Sequence, residues 1–247
     1  NSCRNRVIAL FHFGLMNYLE GETILVDKPL TWTSFDVVSK LRWNIKQVLG
    51  VKKIKVGHAG TLDPLATGLL IICIGKHTKR IDELMGGMKT YTGTILLGKT
   101  TASYDLESEY NAEFPTEHIT PEILEKARQH FIGTLQQVPP IFSAKQVDGK
   151  RAYDLARAGK EVVLKANTIE VSDFKISAER FPEIDFEISC SKGTYIRSIA
   201  HDFGQAVQSG GTLIALRRTK SGDFSVENAK SVEEWVEVIR GSSEVPR

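Results

Sequence analysis

The stretch Gly57-His58-Ala59-Gly60-Thr61-Leu62-Asp63-Pro64-Leu65-Ala66-Thr67-Gly68 runs directly into Leu69-Leu70-Ile71-Ile72-Cys73-Ile74. Three glycines, one proline and one carboxylate describe a loop, and the apolar run behind it has the length of a buried strand. A carboxylate in a loop anchored to a rigid strand is well placed for a reaction. An aspartate that makes a turn before proline accounts for the same residues. The rest of the chain has to decide between the two.

Upstream, Ile24–Val26 predicts a short strand, followed by the Lys28-Pro29 turn. Thr33 or Ser34 can cap a helix whose apolar positions Val37, Val38, Leu41, Ile45, Val48 and Leu49 recur at helical spacing. Downstream, Lys89–Leu97 is rich in Thr, Tyr and Ile and reads as a strand. Ile119–Ile132 contains Thr120-Pro121-Glu122, a helix start with proline in first position. Ala152–Ala158 predicts a shorter helix, Thr168–Ile176 and Glu183–Ser191 two strands. In the second strand Ile184, Phe186, Ile188 and Cys190 alternate with polar residues, which predicts one buried face. Ile196, Ile199, Ala200, Phe203 and Val207 mark an amphipathic helix, Leu213–Leu216 a strand, and Val232–Ile239 a closing helix. Strands and helices mix without a βαβ period. The expectation is an α+β fold with a mixed, largely antiparallel central sheet flanked by helices and a catalytic cleft.

The chain has 247 residues, 41% hydrophobic and 25% charged, with 20 glycines and 8 prolines, which excludes collagen-like and low-complexity structure. No apolar run approaches the ~18–20 residues that cross a bilayer, so no membrane partner is expected. Cys3, Cys73 and Cys190 are widely spaced and include no C-x-x-C, and the six histidines include no H-x-x-x-H. A disulfide framework and a cysteine or zincin-type metal site are therefore not expected, and a reducing cytoplasm fits. Residues 1–15 read as an extension before Met16, residues 16–240 as the folded domain, and 241–247 as a linker-like tail.

Net charge is only +2, but its distribution is uneven. Between Asp36 and Asp63 no acidic residue occurs, while Lys40, Arg42, Lys46, Lys52, Lys53 and Lys55 do. Lys145, Lys150, Arg151, Arg157, Lys160 and Lys165 form a second basic stretch, and Arg217, Arg218 and Lys220 a third. Asp105–Glu125 holds seven carboxylates and no Lys or Arg. Solvated helix faces explain any one run; three of them around the loop motifs favour a polyanion surface.

Two further segments bear on chemistry. Gly193-Thr194-Tyr195-Ile196-Arg197-Ser198 joins a strand to a helix, which puts Arg197 in the first helical turn. Cation and helix dipole oppose each other there. A surface arginine is the default reading and a partly buried pair with a carboxylate the alternative. Gly93-Thr94-Ile95-Leu96-Leu97-Gly98-Lys99-Thr100 satisfies G-x-x-x-x-G-K-[ST], yet its middle is strand-like and no helical spacing follows Thr100. No nucleotide cofactor is expected from it.

Taken in order, five segments resemble the TruB-type tRNA pseudouridine synthases. They are Asp27-Lys28-Pro29 with Thr33-Ser34-Phe35-Asp36; His58-Ala59-Gly60-Thr61-Leu62-Asp63-Pro64-Leu65-Ala66-Thr67-Gly68; Lys89-Thr90-Tyr91; Gly193-Thr194-Tyr195-Ile196-Arg197-Ser198; and Leu216-Arg217-Arg218-Thr219. The resemblance runs from about Glu22 to Asn228. It departs in one place: the usual glycine after Lys28-Pro29 is absent, Leu30-Thr31-Trp32 standing there.

The resemblance implies the pseudouridine-synthase fold and isomerisation of uridine 55 in the T loop of tRNA. It implies that Asp63 is the catalytic aspartate, that Tyr91 stacks on the target base and that Arg197 pairs with Asp63. It further implies that His58 helps hold the loop with its extruded nucleotides and that Leu216 lines the base pocket. Lys28, Asp105 and Tyr195 fall at motif positions with supporting, substrate-binding roles. Because the reaction neither oxidises anything nor adds water to the product, neither a redox cofactor nor a metal is expected. Longer family members carry a C-terminal PUA domain; with 29 residues after Arg218, all contacts to the T stem-loop are expected from the catalytic domain, acting as a monomer. A non-catalytic tRNA-binding or folding protein, and a P-loop nucleotidase built on Lys99, are the rival readings.

Overall fold

A computed structural model of the chain describes residues 17–140, 146–147, 150–151 and 164–242. The helix expected over Ala152–Ala158, most of the second basic stretch and residues 1–15 lie outside them. The chain divides into two compact units. The first comprises Asn1–Pro64, Gly68–Met85 and Val226–Arg247, the second Leu65–Thr67 and Gly86–Ser225.

In the first unit, β1 (Glu22–Lys28) pairs antiparallel with β3 (Ala66–Ile74), Glu22 opposite Ile74 and Lys28 opposite Gly68. On its other edge β1 pairs parallel with β14 (Lys230–Ser231), and β2 (Val56–His58) runs antiparallel to the far half of β3. Two helices cover these strands, α1 (Ser34–Leu49) and α5 (Val232–Gly241). Thr33 caps α1 in a reciprocal box with Asp36, and Gly50 ends it in the left-handed conformation. Val37, Val38, Leu41 and Ile45 of α1 meet Ile24 and Val26 of β1, Leu70, Ile72 and Ile74 of β3, and Val232 and Ile239 of α5, all buried. Each such side chain stabilises by roughly 1.5–3 kcal/mol, which makes α1 a rigid mount.

The second unit carries an antiparallel sheet in the order β12 (Gly211–Ser221), β4 (Lys89–Leu97), β11 (Glu183–Cys190), β10 (Asn167–Arg180), β7 (Gly133–Gln137). Ile184, Phe186, Ile188 and Cys190 are buried as their alternation predicts. Phe174 packs edge-on to Phe131, Phe186 and Phe203, their ring centroids 5.8–6.2 Å apart. Phe203 lies on α4 (Ile196–Ala206). A Cβ on Gly204 of α4 would stand 2.2 Å from the amide nitrogen of Gly211, so the helix backbone lies directly against β12. The remaining elements are α2 (Ile81–Leu84) in the first unit and, in the second, β5 (Lys99–Thr101), β6 (Tyr110–Glu113), α3 (Pro121–His130), β8 (Gln146–Val147), β9 (Lys150–Arg151) and β13 (Phe224–Ser225).

The sequence pattern misses several short elements: β2, β5, β6, β7 and the backbone pair Gln146–Val147 with Lys150–Arg151. It also halves β12, whose second half is polar and whose register is irregular at Leu213/Ala215 and again at Arg218/Lys220. The phosphate-loop look-alike is strand on both sides of Gly98. Lys99 sits in β5, ion-paired to Glu113 at 3.1 Å, with its ammonium over the Tyr110 ring. That geometry offers no helix N-terminus to a nucleotide.

Candidate active site

Asp63 lies in the loop between β2 and β3, half-buried. The backbone on both sides of it is tied down within the first unit. Ser34, the first residue of α1 and 2% exposed, accepts from Leu62 N at 2.9 Å and donates to Leu62 O at 3.2 Å. Thr31 N donates to Pro64 O at 2.8 Å. Thr31 makes its turn at φ +70°, a left-handed conformation that glycine adopts freely and a β-branched residue does not. It stands in the turn that lacks the family's glycine. Lys28 is wholly buried and donates to Pro29 O at 3.0 Å and Trp32 O at 2.6 Å, closing that same turn. His58 ends β2 opposite Ile72, and Ala59 N continues the ladder to Ile71 O. The loop therefore leaves one fixed strand and enters another.

In the second unit Arg197 is buried, 5% exposed, which overturns the default reading of a surface arginine. Its Nε lies 3.7 Å from Oδ2 of the equally buried Asp105, and its Nη1 donates to Ser103 O at 3.3 Å. The first turn of α4 has no acidic residue. Asp105 and the Ser103 carbonyl supply the negative charge that offsets both burial and the helix dipole. Asp105 also accepts from Glu107 N at 3.0 Å. Tyr195, half-buried at the start of α4, is held by its backbone. Its amide donates to Gln137 Oε1 at 2.8 Å and its carbonyl accepts from Gln137 Nε2 at 3.0 Å. Ser198 Oγ adds a bond to Val138 O at 2.9 Å.

Tyr91 is 9% exposed on β4, directly opposite Arg218 of β12. Leu216 is opposite Gly93, so Tyr91 and Leu216 point to the same face of that sheet, with no side chain at Gly93 between them. Irregularities between Leu213 and Ala215 and between Arg218 and Lys220 bracket this part of β12; such bulges re-aim side chains. Leu216 O accepts from Thr67 Oγ1 at 3.4 Å, and Arg217 Nη1 donates to the same hydroxyl at 3.5 Å.

A family model described as TruB family pseudouridylate synthase (N terminal domain) matches residues 46–196. A protein named tRNA pseudouridine synthase B from Phocaeicola vulgatus is 56% identical over 225 residues, covering 90% of this chain and 96% of the relative. One of the same name from Flavobacterium johnsoniae is 51% identical over 224 residues, covering 90% and 98%. The chain belongs to the TruB family. Among solved structures, the archaeal box H/ACA sRNP Nop10-Cbf5 complex matches with TM-score 0.65 at 24% identity, over 92% of this chain and 56% of that one. That likeness bears on the fold alone, and it agrees with the expected pseudouridine-synthase architecture.

For a TruB-family synthase, two positioning residues escaped the sequence reading. Ser34 was legible only as a helix cap; the signal was the Thr33-Ser34 doublet, since one hydroxyl suffices to cap. Gln137 gave no signal, because β7 was itself unexpected. Further along α4, burial shifts two titratable groups. Burial pushes Asp202 up to about 6 and lowers His201, whose ring stacks on Tyr104 at 3.9 Å. Burial also pushes the Cys190 thiol up to about 11, so it stays protonated and inert.

Proposed function

We propose that the chain isomerises uridine to pseudouridine at position 55 in the T loop of tRNA, with the target base flipped out beside Asp63. The N1–C1′ bond breaks, the uracil turns, C5 bonds to C1′, the C5 proton leaves to solvent and N1 takes up a proton in its place. A carboxylate serves either as nucleophile toward sugar or base, or as the base that removes a sugar proton. Flipping costs a few kcal/mol of unstacking, and stacking on the Tyr91 ring returns about 1–3 kcal/mol. His58 and Tyr195 contact the extruded nucleotides, and Leu216 lines the pocket. Arg197 is the partner that keeps Asp63 ionised, with Asp105 orienting its guanidinium and Lys28 holding the turn next to the loop. T-loop shape rather than a long base sequence selects the substrate.

The observation that supports this reading most is Asp63 itself: the one carboxylate of the family's long loop motif, on a backbone tied at Leu62 and at Pro64. The test is release of label from C5-tritiated tRNA. The chain is expected to release it and Asp63→Asn to bind the RNA without release. Binding without release by the unaltered chain would make it a non-catalytic RNA binder instead. Arg197→Lys keeps the charge and loses the planar fork; turnover is expected to fall about 100-fold with little loss of RNA affinity. Near-normal turnover would remove Arg197 from the reaction.

A further inference from the structure

The half of α1 away from Ser34 and the segment that follows it concentrate positive charge. Arg42 and Lys46 of α1, and Lys52, Lys53 and Lys55 of the segment leading to β2, line an open concavity of about 420 Å³ together with Ile54. Among the described residues none of these five cations is ion-paired to a carboxylate. The negative end of the α1 dipole, about half a charge, accounts for one of them, Lys46 in the last turn. Four more like charges gathered there repel one another until an anion arrives. On the same helix Trp43 is 54% exposed, and Arg42 places its guanidinium 5.7 Å from the ring centroid of Phe35, itself 61% exposed in the first turn. Flat apolar surfaces interleaved with cations suit a sugar–phosphate chain with its bases better than a small free anion.

We propose that this concavity binds backbone phosphates of the RNA substrate at a second place, away from the reacting nucleotide. The proposal rests on the reading that the substrate is tRNA. Twelve residues of helix separate Ser34, which holds the Asp63 loop, from Lys46, about 18 Å along the axis. The phosphates taken up here therefore belong to a part of the RNA that does not react. Their contribution falls on affinity and its salt dependence, and leaves the chemical step alone.

The test uses full-length tRNA and the full chain. Lys52→Glu and Lys53→Glu, and their double variant, are compared with Lys126→Glu, which matches the charge change of each single variant at an exposed position of α3. Fluorescence anisotropy across a salt series is expected to show the double variant binding at least tenfold more weakly. Its log–log salt slope should be shallower by about 0.7–0.9 for every phosphate that is no longer neutralised. Single-turnover label release at saturating RNA should stay at the parental rate, and Lys126→Glu should bind as the parent does. Glutamine variants at the same two positions should give a smaller loss in the same direction. Unchanged affinity and slope in the double variant, or an equal loss in Lys126→Glu, would overturn the assignment while leaving the isomerase reading intact. Failure of the parental chain to bind tRNA would sink both.

Discussion

A single hydroxyl, Ser34 Oγ, meets both polar groups of the Leu62 peptide, one residue before Asp63. It is buried, so water cannot replace it, and its loss leaves a donor and an acceptor without that partner at a cost of about 1–3 kcal/mol. Ser34→Ala is expected to lower kcat about tenfold, because a loop shifted by a fraction of an ångström misplaces the carboxylate, while KM for tRNA changes little. Ser34→Thr, which keeps the hydroxyl, should recover most of the rate. Steady-state kinetics alongside thermal melting read both; a parental kcat in Ser34→Ala would show that the bracket does not position Asp63. Thr31 shows the same economy at one residue. The chain accepts a β-branched residue at φ +70°, a strain of order 1–3 kcal/mol, where its amide holds Pro64. The presence of Asp63 in a loop was legible from its glycines and its proline. That the loop is held by Ser34 and Thr31 was not, because a hydrogen bond between residues 28 positions apart leaves no periodic trace.

The start of α4 is built the same way. Gln137 takes both polar groups of Tyr195, Ser198 is bonded to Val138, and Gly204 lets the helix sit on β12. Arg197 is thereby fixed before any side chain touches it. Further along the same helix, Asp202 is pushed up to about 6 because burial disfavours its charged form. The folded value exceeds the ordinary 3.8 of the unfolded chain, so the folded state binds the proton more tightly. This group's penalty is absent below about pH 4, grows as pH rises through 6, and is full above it. The shift converts to about 3 kcal/mol, of which solvent screening at a partly exposed carboxylate leaves about 1–2 kcal/mol. Asp202→Asn should therefore raise Tm at pH 7.5 and leave it nearly unchanged at pH 4, measured by melting curves at both values. An equal effect at the two pH values would contradict the burial argument. Helix α4 was legible from its apolar spacing, as were α1 from its capping residues and β11 from its alternation. Arg197's partner was not, because Asp105 lies in an acidic stretch that reads as solvated.

Across the whole molecule, net charge conceals what local charge reveals. A value of +2 suits no particular partner, yet the acid-free stretch from Val37 to Leu62 folds into one unit with the Asp63 loop at one end of a helix and, among the described residues, five cations without a carboxylate partner at the other. The strand and helix types were readable where one pattern dominated, even over the three apolar residues Ile24–Val26 of β1. The short strands β2 and β7 were hidden, since Val56-Gly57-His58 and Gly133-Thr134-Leu135-Gln136-Gln137 offer neither an apolar run nor an alternation. Roles in the site came from the ordered motifs and their resemblance, never from composition. The central claim is that one carboxylate, Asp63, isomerises one uridine. It is tested most directly by mapping pseudouridine along unmodified tRNA after incubation with the chain and with Asp63→Asn. One new pseudouridine, at position 55, formed by the parental chain and missing with Asp63→Asn, is the predicted result. Pseudouridine at other positions only, or undiminished formation by Asp63→Asn, would contradict it.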